Sequence, residues 1–184
     1  MTRTVATVDT IYVDPSALIK LYLNEPESRA MTAWRARLRR PIPVTYHGRV
    51  ELMNGIALAA HRKLISEEAF AAALARLDED FEQGRCILAD VLWRAALKRA
   101  ADLSRTYSRT LGTRSLDVLH VACALELECR TFVSFDSRQQ DLARAVALAP
   151  MKTPSPTVTS PASTAPEAMV VYWPTRQPWE MTAL

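Results

Sequence analysis

Four acidic residues stand where solubility alone does not account for an acid. Asp14 closes the short β-rich run from Thr10 to Val13, and Asp136 closes the run Thr131-Phe132-Val133-Ser134-Phe135. Glu51 lies between Val50 and Leu52-Met53, and Asp117 between Leu116 and Val118-Leu119, so both are acids in apolar company. A carboxylate taken out of water must protonate, pair with a cation or bind a metal, because desolvation costs on the order of several kcal/mol. Each acid also has a structural account. Asp14 ahead of Pro15 is a good helix N-cap, and Asp136 with Gln139 three residues on has the form of a capping box. Arg49 and Arg114 are the salt-bridge partners that Glu51 and Asp117 could use instead.

Strands and helices must bring such distant residues together, and the sequence alternates them. The strand ending at Val13 runs into a helix carrying Leu18, Ile19, Leu21 and Tyr22, with a second helical run from Glu27 to about Arg40 stopped by Pro41. Ile42 to Tyr46 reads as a strand, and a long helix from about His47 to Lys63 follows. Ser66 with Glu67 and Glu68 starts the next helix, whose Phe70, Leu74, Leu77 and Phe81 make one apolar stripe ending at Gly84. Cys86 to Ala89 is a short strand, Val91 to Thr110 is helical until Leu111-Gly112, and Arg114 to Glu128 is helical again. The β-branched run from Thr131 leads into a last helix, Ser137 to about Leu148. Strands this apolar, alternating with helices, predict an α/β fold: a central parallel sheet covered on both faces as a three-layer α/β/α sandwich. In such a sheet the carboxyl ends of the strands open on one crevice, and Asp14 and Asp136 both stand there.

The chain has 184 residues, 49% of them hydrophobic and 23% charged, which is ordinary globular usage for one domain. Six of its eleven prolines fall after residue 150, where TPSPTVTSPASTAP has no helical or strand period. The reading is therefore a domain over 1–150 and an irregular tail over 151–184 that is disordered or loosely docked through Val170-Val171-Tyr172-Trp173 and Trp179. Deleting the tail is expected to leave the fold intact. The formal charge of +3 belongs to residues 1–150, since Lys152 and Arg176 balance Glu167 and Glu180. That excess permits a polyanionic partner without demanding one. Cys86, Cys123 and Cys129 are odd in number and sit in apolar stretches, so they read as buried free thiols in a reducing compartment. His120 and Cys123 share a helical face, but with no second pair at metal spacing they make no case for zinc. With no apolar leader and no run long enough to span a bilayer, a cytoplasmic protein without a membrane partner is expected. No internal repeat is present.

The windows IYVDPSALIKLY, VELMN, RSLDVLHVACAL and FVSFD, in this order and spacing over about residues 10–149, resemble the acidic motifs of the PIN-domain family, and most of all the VapC-type ribonuclease toxins of toxin–antitoxin pairs. The R-x-x-D-x-x-H-x-A window is the most specific piece. The resemblance implies a divalent-metal-dependent ribonuclease whose catalytic acids are Asp14, Glu51, Asp117 and Asp136. Asp14, Asp117 and Asp136 would hold the metal, Glu51 would be a ligand or a water-orienting base, and Asn54 and Ser134 would be polar companions. Ser134 stands where the family favours threonine, and keeps the hydroxyl. The stretch AVALAPMK matches less well and leaves the last edge strand open. A set of carboxylates with neither imidazole nor thiolate is a hard oxygen site, suited to Mg²⁺ or Mn²⁺. The resemblance also implies an RNA substrate, a cognate antitoxin and a homodimer.

On the helix from Val91, Arg94, Lys98, Arg105 and Arg109 fall within roughly 60° of one another on an ideal helical wheel, and Arg114 follows ahead of Asp117. This stripe could lead a phosphate backbone to the acids, or be an ordinary solvated face. A receiver domain wants an acidic pair after its first strand, and a haloacid-dehalogenase-like phosphatase wants D-x-D; neither pattern is present. The remaining alternative is a catalytically silent PIN-like protein- or RNA-binding module that meets a partner through Leu18, Ile19, Leu21 and Tyr22.

Overall fold

The computed structural model describes residues 10–148 and the backbone of residues 169–172. Tyr12 sits between two β-branched residues, and the three form β1 (Ile11–Val13). Alternation along this strand feeds two cores. Ile11 and Val13 join Leu18, Met31, Ile42, Leu52, Ile56 and Leu77, whereas Tyr12 joins Val118, Val121, Phe132 and Leu142. Both faces of the strand are thus covered, as its unbroken apolar run predicts for a parallel sheet.

β1 pairs in parallel with β4 (Thr131–Ser134), with Tyr12 opposite Phe132 and Val13 opposite Val133. β2 (Ile42–Thr45) pairs in parallel with β3 (Cys86–Ala89) and packs beside β1. The connecting helices are α1 (Pro15–Leu18), prolonged by a 3₁₀ turn over Ile19–Leu21, then α2 (Ser28–Arg37), α3 (Tyr46–His61) and α4 (Glu67–Glu82). After β3 come α5 (Trp93–Leu103), α6 (Arg109–Leu111), α7 (Ser115–Glu126) and α8 (Ser137–Leu148). The starts of α1, α3 and α4 have a local cause. Asp14, Thr45 and Ser66 accept from the amides of Ala17, Gly48 and Ala69 at 3.3, 3.0 and 3.2 Å. Gly84 (φ +68°) and Gly112 (φ +65°) take the left-handed conformation that ends their helices. Leu77 is fully buried with Phe70, Leu74 and Phe81 packed around the same core, so the α4 stripe faces inward as its spacing predicts.

Three expectations change. The helix expected over Val91–Thr110 is interrupted by a π-helical turn at Ser104–Ser108, so Arg105 and Arg109 do not follow Arg94 and Lys98 on one regular wheel. Leu18, Leu21 and Tyr22 are buried and Ile19 packs against the same core, so this set is not a free partner surface. The apolar spacing that suggested a docking face is satisfied inside the molecule. Finally, β5 (Met169–Tyr172), within the stretch expected to be irregular or loosely docked, pairs antiparallel with β4, Phe132 opposite Val171. Two adjacent valines and a tyrosine suit the open edge of β4. The spacer TPSPTVTSPASTAP, Trp173 and Trp179 lie outside the described residues.

Deleting residues 151–184 is therefore expected to lower stability by on the order of 1–3 kcal/mol, a few ladder hydrogen bonds at about 0.5–1.5 kcal/mol net each, and to promote self-association through the bared edge. Thermal melts and sedimentation of the truncated chain check this. An unchanged melt and a monomer would show that β4 does not depend on β5. Cys86, Cys123 and Cys129 are free and buried, as expected. Among the described residues no helix is long and apolar enough to cross a membrane.

Candidate metal and nuclease site

The backbone of Asp14 extends β1 by one rung, its amide donating to the Val133 carbonyl at 3.0 Å. This ties the acid to β4 before its side chain does anything. The carboxylate is 1% exposed, accepts from Ser16 Oγ at 2.8 Å, and has no ion-pair partner among the described residues. Burial pushes its pKa up, against the opposing pull of His120 and the Ser16 hydrogen bonds. Ser16 also accepts from the Phe135 amide at 2.9 Å and lies 3.5 Å from Ser134 Oγ, which accepts from the Asp136 amide at 3.0 Å. The two strand ends are thereby stitched together. Asp136 caps α8, its Oδ1 accepting from the amides of Arg138 and Gln139 at 2.9 and 3.2 Å, which leaves Oδ2 free to face Arg114.

Asp117, in the first turn of α7, is also 1% exposed. Its Oδ2 accepts from the Arg114 amide at 2.8 Å and from Nε at 3.1 Å, while Arg114 Nη2 donates to its Oδ1 at 3.0 Å. The same Nη2 reaches Asp136 Oδ2 at 3.1 Å. One guanidinium thus bridges two carboxylates whose like charges would otherwise repel. Burial pushes the Asp117 carboxyl up, but the Arg114 side-chain and main-chain donors outweigh it and hold the pKa below the ordinary value. The salt bridge considered for Asp117 is present.

For Glu51 the arginine alternative is not what forms. Arg49 turns to Asp78 at 3.3 Å and lies over the Phe81 ring. Glu51 Oε2 instead sits 2.7 Å from His120 Nε2, and Oε1 3.7 Å from His47 Nε2. Behind it the Tyr12 hydroxyl lies 2.8 Å from His120 Nδ1. Burial raises the Glu51 pKa, and the His120 hydrogen bond with the nearby histidine charges more than reverses this.

Asp14, Asp117 and Asp136 are linked through Ser16, Ser134 and Arg114, whereas the contacts of Glu51 run to His120 and His47. Ser134 is fully buried inside this chain of contacts, whereas Asn54 is exposed on α3. Arg94, Lys98, Arg105 and Arg109 are all exposed, and Arg114 belongs to the acid network itself. Sequence reasoning missed Ser16, His47 and the role of His120. His47 stands four residues before Glu51, one helical turn, and His120 three after Asp117, so both signals were within the quoted windows or next to them.

The PIN domain family model matches residues 11–145, and the chain belongs to that family. Among solved structures it resembles VapC20 of Mycobacterium tuberculosis, a toxin that cleaves the sarcin-ricin loop, with 16% identity and a TM-score of 0.55 over 74% of this chain and 95% of that one. It also resembles FitAcB from Neisseria gonorrhoeae, with 20% identity and a TM-score of 0.54 over 73% of this chain and 94% of that one. These likenesses establish the α/β fold. A search of curated proteins finds no match.

Proposed function

We propose that this PIN-domain chain is a ribonuclease that hydrolyses phosphodiester bonds with a divalent metal, Mg²⁺ or Mn²⁺, and acts as the toxin of a toxin–antitoxin pair. The observation that carries the reading is the state of its aspartates. Asp14 is buried without an ion-pair partner among the described residues, and Asp117 and Asp136 share a single, largely exposed guanidinium. These carboxylates carry more negative charge than the one guanidinium offsets, although their donor atoms are not gathered within 4.8 Å of one another. The donors fit a hard divalent cation, because they are carboxylate oxygens on strand and helix ends that the main chain fixes. Asp14, Asp117 and Asp136 would hold the ion. When bound, it would acidify an attacking water and offset charge growing on the scissile phosphate. Glu51, oriented by His120, would accept the proton of that water. Arg114 would exchange one carboxylate for a phosphate oxygen of the RNA, a geometry its planar fork suits.

The RNA class is supported by the likeness to VapC20 and by the exposed bases Arg94, Lys98, Arg105 and Arg109 upstream of Arg114. Exposed Val50, Leu97 and Leu116 are the apolar side chains we assign to contacts with an antitoxin or a second copy. The silent-module alternative loses its suggested surface, since Leu18, Leu21 and Tyr22 are core.

The test is incubation of the purified chain with total RNA, with Mg²⁺ or Mn²⁺ and with a chelator. Fragments are expected with metal and none with chelator. Cleavage that persists in chelator removes the metal role, and no cleavage under any condition returns the chain to the binding-module reading.

A further inference from the structure

A second set of ligand-type side chains lies where α3 meets α7, and its chemistry differs from that of the aspartates. His47 and Glu51 come from α3 and His120 from α7, and one donor atom from each lies within 4.8 Å of the others, the trio with this property among the described residues. The two imidazoles address different oxygens of one carboxylate, at 3.7 and 2.7 Å, and their ring centroids are 4.7 Å apart. His47 Nε2 is buried and has no hydrogen-bond partner. Its 3.7 Å separation from Glu51 is too long for a hydrogen bond, so a buried ring nitrogen faces the carboxylate with its bonding capacity unmet by the described residues.

The surroundings favour an ion there. The Tyr12 hydroxyl fixes the far nitrogen of His120 at 2.8 Å, the outer support that metal-bound imidazoles ordinarily have. Trp93 stands edge-on to the His47 ring, with centroids 6.5 Å apart. Two imidazoles and one carboxylate make three ligands of intermediate softness. That set suits Zn²⁺ and neighbouring transition ions and is a poor one for Mg²⁺.

We propose that His47, Glu51 and His120 form a binding site for a zinc-class divalent ion, separate from the aspartate site and coupled to it through Glu51. Filling it ties up the Glu51 carboxylate that the ribonuclease reading assigns to the attacking water. Zn²⁺ therefore inhibits RNA cleavage; this consequence rests on the ribonuclease reading, whereas the binding does not.

Co²⁺ titrated into the full chain in excess Mg²⁺ reports the site through its visible absorption. One equivalent is expected to give intense low-coordinate bands that Zn²⁺ abolishes. His47→Gln should lose the bands and Asp117→Asn should keep them. The chain has three histidines, so ¹⁵N spectra of the wild-type rings supply a readout free of any folding effect of the variant. Zn²⁺ should shift His47 and His120 and leave His61 in place. Bands retained by His47→Gln, bands lost in Asp117→Asn, or rings that do not respond to Zn²⁺ would each overturn the proposal. Cobalt bands in a chain that cuts no RNA would leave the site standing and sink the ribonuclease reading alone.

Discussion

Asp117→Asn is expected to lower metal-dependent RNA cleavage by about 10³-fold or more while the chain still folds, the scale of several kcal/mol of charge stabilisation lost at the reacting phosphate. The amide keeps the shape of the carboxylate and can still accept from the Arg114 amide, so the start of α7 survives. What disappears is the charge. The rival outcome is that Asp117 exists for Arg114, in which case its loss should register as instability. The structure makes that cost small. Arg114 is 64% exposed, so its pairing is screened by water, and it keeps Asp136 at 3.1 Å after the substitution. A loss of less than about 1 kcal/mol is expected without metal. With metal the difference widens, because an ion at 100 times its dissociation constant stabilises the wild type by about 2.7 kcal/mol and the variant by little. Melts with and without Mg²⁺, beside a cleavage assay, separate the readings. Full cleavage by Asp117→Asn removes it from the site.

Much of this arrangement was legible because its determinants are local. An aspartate before Pro15 and another before Ser137-Arg138 signal strand-to-helix corners from their own neighbours, and the structure shows both capping contacts. Of the two acids in apolar company, Asp117 proves 1% exposed, whereas Glu51 is half-buried beside an exposed Val50. Which partner each would find was less legible. Arg114 precedes Asp117 by three residues and helical geometry brings them together, whereas Arg49 and Glu51 are two apart and point to different sides of α3. His47 on α3 and His120 on α7 meet only through the tertiary fold, their rings 4.7 Å apart, which no window contains. The same holds for Met169–Tyr172, whose pairing is decided by the open edge of β4 far upstream. The π turn at Ser104–Ser108 shifts the helical register without leaving any proline or glycine to mark it.

The core beneath the site allows stability to be separated from chemistry. Phe132 is fully buried on β4, stacked on Tyr12 with centroids 5.5 Å apart and planes within 6°. Phe132→Ala removes the ring from between two paired strands and should cost about 3–5 kcal/mol, transfer and cavity together. For a chain of this size that corresponds to a fall in melting temperature of roughly 6–20 °C. Phe132→Leu fills most of the space and should cost less than about 1.5 kcal/mol. Neither change removes what places the acids. Asp14 is held by its main-chain bond to Val133 and Asp136 by Ser134, one and two residues past the lost ring. Cleavage per folded molecule, measured well below the melt, should therefore stay within severalfold of wild type, the reverse of the Asp117→Asn pattern. An unchanged melt would mean that the Tyr12–Phe132 stack does not support the fold. Cleavage lost in a fully folded Phe132→Ala chain would mean that the stack positions the site through Tyr12 and His120, whose hydroxyl-to-nitrogen contact of 2.8 Å is the nearest link from this core to Glu51.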